Sequence, residues 1–271
     1  MLFDNTILPD IIELKNIIQK YGNTTVIENL NLLIENPPDK GRFVVILGHS
    51  GCGKSTVLRY IAGLQQPTSG EILVYGKLRT SLNLKDDHIS MVFQQYSSLP
   101  WFSVLDNVAL GLKFAGVGKD EREEKAMEII KLVGLEGHEK KYALYPILSG
   151  GQLQRVAIAR SLLSNPKILL MDEPFGSLDT HTRLSMQDLL AQIWDKLKLT
   201  VIFVTHDISE AVYLGDEIWI MSSNPGKIVE RIQVPLPYYR TLPLKRTQVF
   251  VDFVHNIEDK MMKLNEKKYI I

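Results

Sequence analysis

Cysteine is nearly missing from these 271 residues: Cys52 stands alone, which excludes an internal disulfide framework and a four-cysteine metal site. That scarcity fits a reducing compartment, with the cytoplasm as the default. Neither sign of charge is in excess. Lysine and arginine number 31, as do aspartate and glutamate, so no overall positive field gathers nucleic-acid phosphates and no nucleic-acid partner is expected. Long apolar runs are missing too, because every candidate is cut by charge or glycine before it could span a bilayer. The opening Met1-Leu2-Phe3-Asp4-Asn5 has no basic region leading into an apolar stretch, and no secretory signal is read there. A role at a membrane would therefore run through a partner. Internal repeats and low-complexity tracts do not occur. At 45% hydrophobic content the chain can bury one proper core but is too short for two full catalytic domains.

What is present alternates between two periods. Short stretches of Ile, Val and Leu from Ile11 to Glu35 suggest strands with a turn at Gly22-Asn23, and Pro37, Pro38 and Gly41 then punctuate the chain. Phe43 to Leu47 is a continuous apolar, β-branched run, the pattern of a strand buried on both faces. Further strands are expected at Glu71–Tyr75, Ser90–Phe93, Lys167–Met171, Thr200–Val204 and Glu217–Met221. Between Val104 and Leu135 the spacing turns helical, with Asp120 expected as N-cap and Met127, Ile130 and Val133 on one face. This alternation predicts an α/β domain with a largely parallel sheet and a helical insert. The tail from Pro235 reads as a polar helix-like segment after Pro237 and Pro243.

Three motifs carry chemistry. Gly48-His49-Ser50-Gly51-Cys52-Gly53-Lys54-Ser55, followed by Thr56, matches a phosphate loop between an expected buried strand and an expected helix. Its glycines let successive N–H groups face phosphates, and the helix start adds its positive end. Lys54 would reach the β and γ phosphates of ATP, and the Ser55 hydroxyl would hold Mg²⁺. Cys52, beside exposed amides at a helix start, is expected to have a lowered pKa and to be shielded by nucleotide. Ile168 to Met171 is an apolar strand ending in Asp172-Glu173; Asp172 would face the Mg²⁺ shell and Glu173 would orient and deprotonate water. Alone, that pair would also suit a solvated acidic turn. Leu148-Ser149-Gly150-Gly151-Gln152 arises by chance on the order of once in a few thousand chains, and it decides between them.

With that pentapeptide in place the sequence resembles the ABC ATPase family over about residues 10–235. The resemblance implies a P-loop NTPase core of mainly parallel sheet, an N-terminal antiparallel β subdomain, a helical signature subdomain at about 96–165, and a C-terminal helical tail at 236–271. It implies that Ser149, Gly150, Gly151 and Gln152 receive the γ-phosphate held by a second copy of the chain, paired head to tail. Gln94 resembles the Q-loop glutamine that senses Mg²⁺, with Gln95 as the alternative; His206 resembles the switch histidine beside Glu173; Asp179 resembles the D-loop aspartate. Gly176 and Ser177 depart from the serine and alanine that importers often carry, and leave the role of Ser177 open. Tyr21 lies where the family places an aromatic under adenine, ordinary half-buried packing being the alternative.

Leu99-Pro100-Trp101, Asp106 to Leu112 and Phe175 are similar to importers of the nitrate, sulfonate and taurine group. The resemblance therefore implies ATP hydrolysis at the cytoplasmic face of a membrane, an integral permease partner, and indirectly a solute-binding protein. A soluble ABC ATPase of DNA repair or translation is the competing expectation. Such proteins usually carry a long coiled-coil insert, a duplicated ATPase domain or a basic surface, and none is visible here. An unrelated phosphate-loop kinase would lack Leu148 to Gln152.

Overall fold

Five strands stack side by side, four of them because their apolar runs are too hydrophobic to expose either face. In the computed structural model, which describes residues 9–36, 40–79, 88–95 and 97–266, β3 (Phe43–Gly48) is buried at every position. It pairs in parallel with β8 (Thr200–Thr205) and β9 (Glu217–Met221); β8 then pairs with β7 (Ile168–Asp172), and β7 with β6 (Ile89–Val92). An antiparallel strand, β10 (Ile228–Gln233), closes the edge beside β9, giving the order β10-β9-β3-β8-β7-β6. A second sheet is antiparallel, with the order β2-β1-β4-β5, from β1 (Ile12–Tyr21), β2 (Thr24–Ile34), β4 (Ser69–Val74) and β5 (Lys77–Leu78).

The alternation of the strands divides the core in two. Val44 and Ile46 of β3 face the antiparallel sheet, where Ile12, Leu14, Ile17 and Leu30 meet them together with Val57 and Ile61 of α1 (Lys54–Ala62). Phe43, Val45 and Leu47 face the opposite way, into a larger core shared with helices α2 (Val104–Phe114), α3 (Lys119–Leu132), α4 (Gly150–Leu163), α5 (Thr180–Leu197), α6 (Ile208–Leu214) and α7 (Gln248–Glu266). Among the described residues no helix is long and apolar enough to cross a membrane. Met1 to Asn5, Pro37, Pro38, Tyr96 at the start of the helical insert and 267–271 at the end of the tail lie outside the described residues.

Three sequence expectations shift. The helix α3 begins at Lys119 after Gly118, so Asp120 lies inside the first turn, near the positive end of the helix, and does not cap it. Its buried stripe is Ala126, Ile130 and Val133, while Met127 is 42% exposed, one residue around the helix from its expected place. The C-terminal segment is amphipathic: a 3₁₀ turn at Leu242–Arg246 leads into α7, whose Phe250, Ile257 and Met261 enter the main core.

Candidate active site

Parallel pairing brings distant residues to one edge. Leu47 is level with Thr205, Asp172 with Val204, and Val92 with Met171. The C-terminal ends of four strands therefore deliver the 48–56 loop, Gln94, Asp172-Glu173 and His206 to the same side of the sheet, where open α/β sheets bind ligands.

The loop itself is shaped by close packing. Gly51 and Gly53 have φ of +79° and +106°, a region that side chains disfavour. At Gly53 a Cβ would also meet Ile27 Cγ1 at 3.1 Å and Met221 Cε at 3.2 Å. His49, Ser50 and Gly51 are exposed, Ser55 and Thr56 half-buried, and Gly53 caps the start of α1 without any side-chain bond. Lys54 is 4% exposed. Its Nζ donates to the carbonyls of Gly48 at 2.9 Å and His49 at 3.0 Å, and lies 3.3 Å from Glu173 Oε1. Ser55 Oγ donates to Asp172 Oδ1 at 2.7 Å. Burial pushes the Asp172 carboxyl above its ordinary range, against the lowering effect of that hydroxyl. His206 Nδ1 lies 3.0 Å from Glu173 Oε2, so Glu173 is gripped between an ammonium and an imidazole.

Cys52 overturns its expectation. Only 1% of it is exposed, and its thiol packs with the core between the sheets; burial raises its pKa more than Lys54 lowers it. The Lys54 and Cys52 amides at the helix start do lower the thiol pKa, but desolvation by burial outweighs them.

Ser149 caps α4 in a capping box: its Oγ accepts the Gln152 amide at 3.3 Å, and Gln152 Oε1 accepts the Ser149 amide at 2.9 Å. Gln152 Nε2 meets His138 Nε2 at 2.9 Å, and Ser149 is exposed. Gly150 and Gly151 open the helix, and a Cβ on Gly151 would lie 2.3 Å from Thr182 Cγ2 at the start of α5. The described hydrogen bonds of Ser149 and Gln152 stay within their own subdomain and do not reach the 48–56 loop. Asp179 caps α5 and accepts the Thr182 amide at 3.1 Å; bonds from Thr182 hold its carboxyl below the ordinary range. Gln94 is exposed just past β6. Tyr21, at the end of β1, is 56% exposed, so half-buried packing does not describe it. Its hydroxyl accepts from Gln65 Nε2 at 3.0 Å.

The motifs missed one cluster. Arg183, Thr205, Asp207 and Glu210 border the same small cavity, about 50 Å³, as Glu173 and His206. Asp207-x-x-Glu210 is itself a legible capping-box pattern; the other two are visible only in three dimensions.

The family model described as ABC transporter matches residues 29–176. The chain belongs to the ABC transporter family. It is an ATPase subunit of that family, with the cassette's antiparallel, parallel and helical parts. Among its relatives, the taurine import ATP-binding protein of Rhizobium johnstonii is 49% identical over 215 residues, 79% of each chain. The aliphatic sulfonates import ATP-binding protein of Bacillus cereus is 45% identical, covering 83% of this chain and 87% of its own. An Fe(3+) ions import ATP-binding protein of Haemophilus influenzae is 43% identical, covering 85% of this chain and 68% of its own. A dimeric bacterial ABC transporter cassette superposes with a TM-score of 0.70 at 35% identity, over 83% of this chain and all of that one. A dimeric post-hydrolysis state of that cassette, bound to ADP and Pi, gives 0.69 at 34%.

Proposed function

We propose that this ABC ATPase energises uptake of a small anionic solute of the sulfonate or taurine kind, working as a head-to-tail pair at the cytoplasmic face of an integral permease. The observation that carries its hydrolytic part is Glu173, held at 3.3 Å from Lys54 Nζ and 3.0 Å from His206 Nδ1 at the mouth of the phosphate loop. A carboxylate placed there has the geometry of a base for water attacking a γ-phosphate.

On this reading the amides of residues 49–55 cradle the phosphates, and Lys54 gives up its loop carbonyls to neutralise them. His206 orients Glu173, which takes the proton of the attacking water. Tyr21 offers its exposed ring to adenine. Ser149 to Gln152 and Asp179 complete the site of the opposite copy. Mg²⁺ suits the adjacent oxygens of Ser55 and Asp172, because it binds hard oxygen donors through few protein ligands and keeps the rest of its shell for water and phosphate. Those two, with Gln94, would hold it. When bound it neutralises charge between the β and γ phosphates.

The dimeric cassettes support the pairing, and the importer names of the relatives support the permease. The solute class draws on the 49% and 45% relatives, together with Leu99-Pro100-Trp101. An indirect solute-binding protein completes the importer. Steady-state phosphate release tests the hydrolytic reading: Lys54→Ala is expected to abolish tight MgATP binding and to lower turnover by on the order of 10²-fold or more. Activity near the parent's would remove the phosphate-loop assignment. Transport by vesicles holding the chain with its permease tests the solute; uptake of Fe³⁺ in place of taurine or an alkanesulfonate would replace the anionic class.

A further inference from the structure

One buried carboxylate at this edge has no part in the chemistry above. Glu210, in the first turn of α6, is 5% exposed. In a capping box its side chain would return to the amide of the N-cap, Asp207. Here the return is relayed. Asp207 Oδ1 accepts the Glu210 amide at 2.9 Å, the Asp207 amide donates to Thr205 Oγ1 at 3.0 Å, and that hydroxyl donates to Glu210 Oε2 at 2.7 Å. Three bonds close a ring around the backbone of His206, whose ring leaves it to meet Glu173.

The other carboxylate oxygen faces α5. Gln187 Nε2 donates to Glu210 Oε1 at 3.0 Å, and Arg183 Nε lies 3.9 Å from it. Arg183 also reaches the turn that follows Glu173, its Nη2 donating to Leu178 O at 2.9 Å and its Nε to Phe175 O at 3.4 Å. Behind Gln187, Lys245 Nζ of the 3₁₀ turn donates to Gln187 Oε1 at 2.6 Å and lies 4.6 Å from the Tyr213 ring centre. One side chain thus joins the loop carrying His206, the turn leaving Glu173 and the C-terminal segment. A carboxylate can accept from Thr205 and Gln187 at once, one bond on each oxygen. A glutamine there has one acceptor oxygen, so one of those donors would lose its partner in a place water cannot fill.

We propose that Glu210 is a positioning residue for ATP hydrolysis: it holds the Thr205–Asp207 turn against the Arg183-anchored turn so that His206 stays within reach of Glu173, and Lys245 braces it through Gln187. The inference rests on the reading of Glu173 as the hydrolytic base. Displacement of a catalytic group by an ångström can cost about 10²-fold in rate while leaving binding contacts intact. The test is single-turnover hydrolysis and equilibrium MgATP binding by the full chain carrying Glu210→Gln, beside Glu173→Gln. Glu210→Gln is expected to lower the rate about tenfold or more, with the dissociation constant for MgATP within about twofold of the parent's. A rate within about twofold of the parent's overturns the positioning role, as does a rate loss matched by an equal loss of binding. Glu173→Gln separates the two layers. If it too keeps the parental rate, the base assignment fails. If it loses the rate while Glu210→Gln does not, only Glu210 is reassigned. Should Glu210→Gln not fold, Thr205→Val and Lys245→Met take its place: slower hydrolysis with unchanged binding in both supports the brace, and parental rates in both overturn it.

Discussion

At the scale of single residues the site is built under tension. Glu173 has φ +42°, a left-handed angle that costs a side-chain-bearing residue about 1–3 kcal/mol. It persists because the Glu173 amide is tied to Val204 O at 3.1 Å and its carbonyl to the Gly176 amide at 3.2 Å, so the strand register beside it leaves no relaxed alternative. The reward is a carboxylate turned back over Lys54. Cys52 shows the opposite outcome two residues earlier in the loop. Sequence reasoning takes it for a reactive thiol, because a helix start follows it; its burial in the core between the sheets, which outweighs the amides, is encoded by no local pattern. Maleimide labelling of the native chain is therefore expected to be on the order of a hundredfold slower than labelling of the urea-unfolded chain, limited by opening of the loop. Mass spectrometry of the time course checks this, and rates within a few-fold of each other would place the thiol at the surface.

At the scale of elements, two aromatic and aliphatic positions that look alike in the sequence behave differently. Trp101 is 66% exposed in the turn before α2, and its ring meets only the Phe102 ring, 6.5 Å away, among the described aromatic contacts. Ser103 caps α2 by accepting the Asp106 amide, so Trp101 is not needed to start that helix. Ile257 of α7 is fully buried in the main core. Urea denaturation should show Ile257→Ala losing about 2–5 kcal/mol, the usual cost of an emptied aliphatic site, while Trp101→Ala stays within about 0.5 kcal/mol of the parent. Basal hydrolysis by Trp101→Ala should be parental in the isolated subunit and fall only when the permease is present, as suits an aromatic anchor at an interface. A large stability loss in Trp101→Ala would return it to core packing. The parallel strands from Phe43 to Met221 were legible in the sequence to within a residue or two, because a run of apolar, β-branched residues admits little else; the two-residue β5 (Lys77–Leu78), exposed and too short to carry a pattern, was not. Nor was the face of α3, since a one-residue turn of a weakly amphipathic helix exchanges Ala126 for Met127, and α7 was read as polar because its buried Phe250, Ile257 and Met261 are spaced among charged residues.

At the scale of the whole molecule, the phosphate loop and the signature do not complete one another within a single chain. The signature helix start stays exposed at Ser149, bonded within its own subdomain, while Lys54 and Glu173 stand at the edge of the parallel sheet. On the proposed reading a closed site takes two chains, each lending its signature to the other. Replacing Glu173 by Gln keeps shape and polarity but removes the proposed base, and general-base catalysis typically supplies a factor of about 10² to 10⁴. Hydrolysis should fall by that much, nucleotide binding should survive, and two uncleaved ATP molecules should hold the pair together. Size-exclusion chromatography with light scattering is expected to report a dimer for Glu173→Gln with MgATP and a monomer without nucleotide. Adding Ser149→Arg should abolish that dimer, because a bulky cation would fill the helix start proposed to receive the partner's phosphate. A Glu173→Gln variant that binds MgATP yet stays monomeric, alone and with the permease, would rule out the closed pair.

Sequence alone determined the parts whose physics is local. A phosphate loop needs glycines and a lysine in fixed order, a capping box needs Ser149 and Gln152 three apart, and a doubly buried strand needs an unbroken apolar run; each can be read from neighbours in the chain. Tertiary structure decided what depends on register and packing. Parallel pairing set Asp172 level with Val204 and so brought Glu173 to His206 and Lys54. Burial turned Cys52 inward and α7 onto the core. Glu210 acquired its partners Arg183, Gln187 and, through Gln187, Lys245 only when α5, α6 and the C-terminal segment met, because a contact across tens of residues is fixed by how surfaces fit and leaves no spacing in the chain to read.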